Sequence, residues 1–342
     1  MHLEWRILDS ATITDVESEP MTERPTLQDV YEARRRIAPY VVRTPLHRYL
    51  SLDELLGAEV YVKHENHQRL GAFKVRGGVN LLSQMSDEEK SRGVITASTG
   101  NHGQSIAYAG SLFGAKAIIA VPEGANPGKV DAIRGLGAQV VFHGRTYEDS
   151  REHAGRLAKE EGYRYIDAVN EPMLIAGVAT YSLEIVEELP DVDVIIVPVG
   201  GGSGACGACI VSKAVNPSIQ VIGVQAEKAP AAYRSWKEGR IVEAPMETAA
   251  EGLATRMGYE LAQDILRDLL DDFVLVSEDG MDHAVVLHLE KTHNLMEHAG
   301  AASLAAAVKI KERLRGKKVV IVASGGNISL AHLRAVLDQT PS

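Results

Sequence analysis

The feature that most constrains this chain is an alternation of short apolar runs with helical stretches between residues 93 and 323. Residues 93–97, 117–121, 138–142, 194–199, 219–224, 273–276 and 318–323 read as strands, β-rich and with little polar alternation. Helical stretches lie at 103–113, at 127–134 with Pro127 in a permitted first turn, and ahead of residue 161. Others lie at 175–189, 204–215, 282–294, 301–313 and 330–338. Strands without a polar face are covered on both sides, and strand–helix–strand order makes them parallel. The fold class expected is α/β, with open, mostly parallel twisted sheets flanked by helices. Upstream, Leu27, Val30, Tyr31 and Ile37 share a helical face behind the cap Thr26. Thr44-Pro45-Leu46 breaks that helix, residues 60–63 form a short strand, and a further helix ends near Leu82.

The chain has 342 residues, enough for one large or two modest domains. The turn-rich Asn170-Glu171-Pro172 suggests a boundary. Residues 92–169 would form a small substrate-side domain. Residues 25–91 with 170–342 would form a large cofactor-binding one. Residues 1–24 read as a loosely ordered extension, with Met21 as an alternative start. They lack the basic start and apolar centre of a signal peptide. A net charge of -10 without a basic stripe argues against nucleic acid. No apolar run approaches the ~20 residues of a membrane helix. The only cysteines, Cys206 and Cys209, are too few for a disulfide framework, so a reducing cytoplasm is expected. Their C-x-x-C spacing does not complete a zinc site, and they read as small core residues.

Four stretches carry chemistry. In Gly71-Ala72-Phe73-Lys74-Val75-Arg76-Gly77-Gly78, Lys74 sits among apolar and glycine neighbours at a loop-to-helix junction. Partial burial there lowers an amine's pKa and makes it nucleophilic. Gly200-Gly201-Gly202-Ser203-Gly204 ends a buried strand and opens a helix, which makes an anion cradle suited to phosphate. It is not a P-loop, and Glu227 is poorly placed for ribose recognition. Ser98-Thr99-Gly100-Asn101-His102 also joins a strand to a helix, with polar groups suited to a carboxylate. Ser324-Gly325-Gly326-Asn327 follows the last strand, at the carboxyl edge where open α/β sheets bind ligands.

These four motifs, in this order from about Leu27 to Leu337, resemble the fold-type-II pyridoxal-phosphate enzymes. The chain is most similar to their threonine/serine dehydratase (ammonia-lyase) and serine racemase branch. Val121-Pro122-Glu123-Gly124-Ala125 and Ala176-Gly177-Val178-Ala179-Thr180 fit as well. The resemblance implies pyridoxal 5'-phosphate as cofactor, held covalently by Lys74 beside Phe73. Gly200, Gly201, Gly202, Ser203 and Gly204 would hold its phosphate. Asn101 would meet the ring hydroxyl, Ser324 the pyridine nitrogen, and Glu297 would lie at the cofactor. Ser98, Thr99, Gly100, Asn101 and His102 would hold the substrate carboxylate. Lys74 would act as base, and a hydroxyl at the ring nitrogen would favour β-elimination over transamination. The implied activity is dehydration and deamination of a small β-hydroxy amino acid, L-threonine or L-serine first, in a homodimer.

Some positions depart from the branch. Thr99 stands where racemising relatives carry serine, so a racemase using Lys74 and Thr99 on opposite faces is the alternative. A hydroxyaspartate dehydratase is another, as are a phosphate-ligand sensor that kept the fold and an NAD-binding reductase. The usual Gln-Gly after Gly177 is missing. His298 replaces a commoner glycine and reads as structural. Gln225 ends the strand after which some relatives place a glutamate metal ligand, so no metal is expected. His64 and His67 form a weak pair, and His283, His288, His293 and His298 recur every five residues without sharing a helical face. Asp87-Glu88-Glu89 reads as a solvated helix start. The chain leaves no room for a regulatory domain after its last helix.

Overall fold

The computed structural model describes residues 23–339. The expected N-terminal extension lies outside them up to residue 22. Its last residue, Arg24, forms ion pairs with Asp264 and Asp268.

Ten strands make two sheets among the described residues. The strands are β1 (Leu46–Arg48), β2 (Glu59–His64), β3 (Val94–Ala97), β4 (Ala117–Val121), β5 (Gln139–Phe142), β6 (Arg164–Tyr165), β7 (Val194–Pro198), β8 (Gln220–Ala226), β9 (Asp272–Val276) and β10 (Lys318–Ala323). One sheet has the order β1-β2-β10-β7-β8-β9, the other β5-β4-β3-β6. Every pairing is parallel except β1 with β2. The α/β class read from the alternation is the architecture observed.

Each sheet reverses direction once. From β7 the chain steps outward through β8 to β9, then returns on the other side of β7 as β10. From β3 it steps through β4 to β5, then returns on the other side of β3 as β6. Loops that leave two neighbouring strands in opposite directions open a crevice at their carboxyl ends. The two switch points therefore lie after β7/β10 and after β3/β6. Three of the four sequence motifs fall there.

Lys74 is placed by helix packing. It is the N-cap of the helix Val75–Ser83, which runs between the helices Asn101–Phe113 and Pro172–Glu188. A Cβ on Gly78 would lie 2.3 Å from Ser105 Oγ, and one on Gly177 2.5 Å from the Arg76 carbonyl. The glycines let three backbones approach. Behind Lys74 lies a buried quartet of charges. Arg76 grips Glu65 (2.8 Å) and Glu184 (2.7 Å), and Lys63 meets Glu184 at 2.6 Å. Thr44 donates to Glu65 at 2.6 Å. Two cations and two anions balance, so the burial leaves no net charge.

Several local expectations change. The break at Thr44-Pro45 leads into β1, an antiparallel edge strand of three residues, too short to show a period. β6 has two. The helices Leu50–Leu56, Ala231–Glu238 and Glu260–Leu269 lie outside the pattern read from sequence. The helix expected to reach 294 ends at Leu287 and widens into a π turn, His288–Thr292, closed by His293 at φ 56°. The one expected at 301–313 runs from His298 to Lys309, followed by a short turn at Lys311–Leu314. Asp87-Glu88-Glu89 does start a helix, with a capping box from Ser86. Cys206 and Cys209 are buried. No helix among the described residues is long and apolar enough to cross a membrane.

Candidate active site

The two switch points face one cavity of about 650 Å³. Phe73, Lys74, Ser98, Thr99, Gly100, Asn101, His102, Gly200, Gly201, Gly202, Ser203, Gly204, Glu297 and Ser324 all line it, so the motifs separated in sequence converge.

Two helix N-termini define its ends. The helix Ser203–Val215 begins after Gly202 at φ 112°, and Asn101–Phe113 begins after Gly100; neither receives a side-chain cap. Their first amides therefore keep donor capacity for an anion, strengthened by the helix dipole. Around the first, the glycines are sterically required. A Cβ on Gly200 would lie 2.1 Å from the Gly252 carbonyl oxygen, and one on Gly201 2.1 Å from Val169 Cγ2.

Lys74 reaches the first of these ends. Its Nζ donates to Ser203 Oγ at 2.9 Å and to the Ala168 carbonyl at 3.2 Å. It lies 5.4 Å from the centroid of the Phe73 ring. Burial lowers the amine from its ordinary value to about 8, while Asp167 and Cys206 oppose that fall. The loop bearing Phe73 is tied to the loop after β10, since the Phe73 amide donates to the Ser324 carbonyl at 3.1 Å.

Asn101 is held at both ends of its amide. Its Nδ2 donates to Glu297 Oε1 and its Oδ1 accepts from Asn327 Nδ2, both at 2.7 Å. Burial raises the Glu297 carboxyl above its ordinary value. Ser98 turns inward locally, accepting from the Gly100 amide at 3.2 Å.

Two of these side chains have partners of their own within the protein. The His102 imidazole is buried, with Nε2 3.1 Å from Thr96 Oγ1, while the residue still lines the cavity. Burial holds it down at about 3, so it stays neutral. The Ser203 hydroxyl, expected on phosphate, here accepts from Lys74. His298 sits 2.8 Å from Asp282 Oδ1 and edge-on to His332, as a structural histidine. Gln225 is occupied with Thr255 Oγ1 and the Tyr233 amide. His64 and His67 stack 4.8 Å apart. The sequence reading missed Lys129, Tyr147, Arg151, Ala168 and Tyr259, which line the cavity without belonging to a motif.

Residues 37–325 match the family described as pyridoxal-phosphate dependent enzymes. The chain belongs to this family. It is 39% identical to an L-threonine ammonia-lyase of Thermotoga maritima over 92% of this chain and 78% of that one. It is 37% identical to a serine racemase of Dictyostelium discoideum over 92% of this chain and 98% of that one. The structure of maize serine racemase superposes with a TM-score of 0.87 at 33% identity, covering 93% and 98% of the two chains.

The cofactor of the family is pyridoxal phosphate, and the cavity fits such a group. A glycine cradle that a Cβ would fill and an uncapped helix N-terminus suit a phosphate dianion. An amine near 8 at the same loop suits a carbonyl.

Proposed function

We propose that this family member is an ammonia-lyase that converts a small β-hydroxy amino acid, L-threonine or L-serine first, to a 2-oxo acid and ammonia. The observation that carries the reading is the Lys74 amine bonded to Ser203 of the glycine loop. The similarity to an L-threonine ammonia-lyase over nearly the whole chain supports the substrate.

In this reading the amides of Gly200–Gly204 hold the phosphate and Lys74 holds the cofactor covalently. Pyridoxal phosphate, when bound, supplies the electron sink that acidifies the substrate's α-carbon. The amides at Ser98–Asn101 orient the substrate carboxylate at the second helix N-terminus. Once the substrate's amine displaces it from the cofactor, the Lys74 amine would take the α-proton, its lowered pKa favouring the neutral form that can do so. Glu297 and Asn327 orient the Asn101 amide, which would hold the cofactor's ring hydroxyl, and Ser324 would serve the ring nitrogen as a neutral partner. We take residues 92–169 as the substrate-side domain and the assembly as a homodimer, which light scattering tests.

Thr99 lines the same cavity as Lys74, which favours serine racemisation as a second reading. One assay separates them. Purified protein with pyridoxal phosphate is given L-threonine, L-serine, D-serine and the hydroxyaspartates, with Lys74→Ala as control. Equal yields of 2-oxo acid and ammonia, abolished in the variant, support the lyase. Inversion of serine without oxo acid, lost in Thr99→Ala, supports the racemase. No turnover of any of these amino acids refutes both.

A further inference from the structure

The loop after β6 is the remaining strand end at the second switch point, and its geometry centres on one carboxylate. Asp167 Oδ1 accepts from the Val169 and Asn170 amides, each at 2.8 Å. The turn so closed contains Ala168, whose carbonyl accepts from Lys74 Nζ at 3.2 Å. Val169 packs on the glycine loop so tightly that a Cβ on Gly201 would lie 2.1 Å from its Cγ2. Asn170 Oδ1 accepts from the Leu261 amide at 3.2 Å, which pins the turn from outside.

We propose that Asp167 is a positioning residue for Lys74: its turn places the carbonyl that holds the amine, and its charge governs how readily that amine releases a proton. The inference rests on Lys74 being the lysine that holds the cofactor. A short carboxylate is suited to both tasks, because one oxygen closes the turn while the negative charge stays close to the cation.

The surroundings leave few competitors. Lys74 also faces Cys206, whose thiol burial raises, and His102, which stays neutral. Around Asp167 stand Tyr147, Tyr165 and Tyr259, all raised by burial, together with Arg151 and Glu171. Burial pushes Glu171 up to about 7, which places it in the same pH window as Lys74. It therefore serves as the control for simple loss of a nearby charge.

The test strips the protein of cofactor and follows its recapture by the absorbance of the protein-bound chromophore, from about pH 6 to 9.5. Asparagine keeps an oxygen for the turn and removes the charge; alanine removes both. In Asp167→Asn the midpoint of the capture rate falls by about one pH unit, within the range expected for loss of a close opposite charge. From a start near 8 this gives about fivefold faster capture at pH 7, because the neutral fraction rises from roughly a tenth to a half. Asp167→Ala captures more slowly than Asp167→Asn at every pH, since the amine loses its anchor. An unshifted midpoint in a folded Asp167→Asn, or an equal shift in Glu171→Gln, overturns the electrostatic role. Identical profiles for the two Asp167 variants overturn the turn's role. Chromophore formation in Lys74→Ala signals failure of the underlying assignment instead.

Discussion

Gly200→Ala is the sharpest probe of the glycine loop as the proposed phosphate cradle. An ideal Cβ there lies 2.1 Å from the Gly252 carbonyl oxygen and 3.1 Å from its carbonyl carbon, while real Cβ contacts under 3.0 Å are essentially absent. Both obstacles are backbone, so no side chain can rotate away. The loop or the 251–253 turn must retreat by about 1 Å, and losing one charge-assisted hydrogen bond from the loop amides to a phosphate costs on the order of 100-fold in affinity. That corresponds to roughly 2.7 kcal/mol of cofactor affinity. Titration of cofactor-free protein with pyridoxal phosphate, followed by absorbance, would read a Kd about 100-fold higher, with circular dichroism confirming the fold. Gly207→Ala is the companion. Its Cβ would lie 2.7 Å from Ala179 Cα, between two helices and away from the cradle. It should lower thermal stability and leave affinity within a fewfold. A folded Gly200→Ala that binds within threefold of wild type, or a Gly207→Ala that loses as much affinity, would refute the reasoning.

Removing Arg76 leaves Glu65 buried without a cation and Glu184 with Lys63 alone, so Arg76→Met should lose about 3–5 kcal/mol in denaturant unfolding; a loss below about 1 kcal/mol contradicts the quartet. Burial holds His64 at about 4 and His102 and His288 at about 3, against a starting value of 6.5. Their stabilisation is whole above that starting value and is lost as pH falls toward the folded values, because the unfolded chain binds the protons. The three histidines by themselves make unfolding at pH 5.5 about 4 kcal/mol cheaper than at pH 7.5, Glu171 raised to about 7 offsets about 2 kcal/mol of that, and the net fall expected is about 2 kcal/mol; a flat profile counts against burial of the histidines as the cause. Lys129 pairs with Glu251 at the cavity wall. Lys129→Ala should raise the KM for the amino acid by up to about fivefold with kcat nearly unchanged, the effect shrinking at high salt, and a fall in kcat alone would assign Lys129 a different role.

The parts legible in the sequence share a cause. Buried parallel strands must be apolar throughout, so β4, β7 and β10 announce themselves. Loops at their carboxyl ends carry glycines and small polar residues because backbones there approach a ligand. Lys74, Gly200–Gly204 and Ser324 were readable for that reason. β1 and β6 were not, being too short for a pattern, and neither were Asp167, Arg76 or Glu65, whose roles depend on partners distant in sequence.

The sequence by itself determined the α/β class and picked out the lysine and the two strand-to-helix loops that line the cavity, because each depends on local periodicity or on backbone freedom within a few residues. Only the tertiary structure decided that the β3/β6 and β7/β10 switch points face one cavity, that the His102 ring turns to Thr96, and that the turn closed by Asp167 brings the Ala168 carbonyl to Lys74. Those outcomes follow from strand order and helix packing. Both are set by the burial of whole faces at once, and no local stretch encodes them.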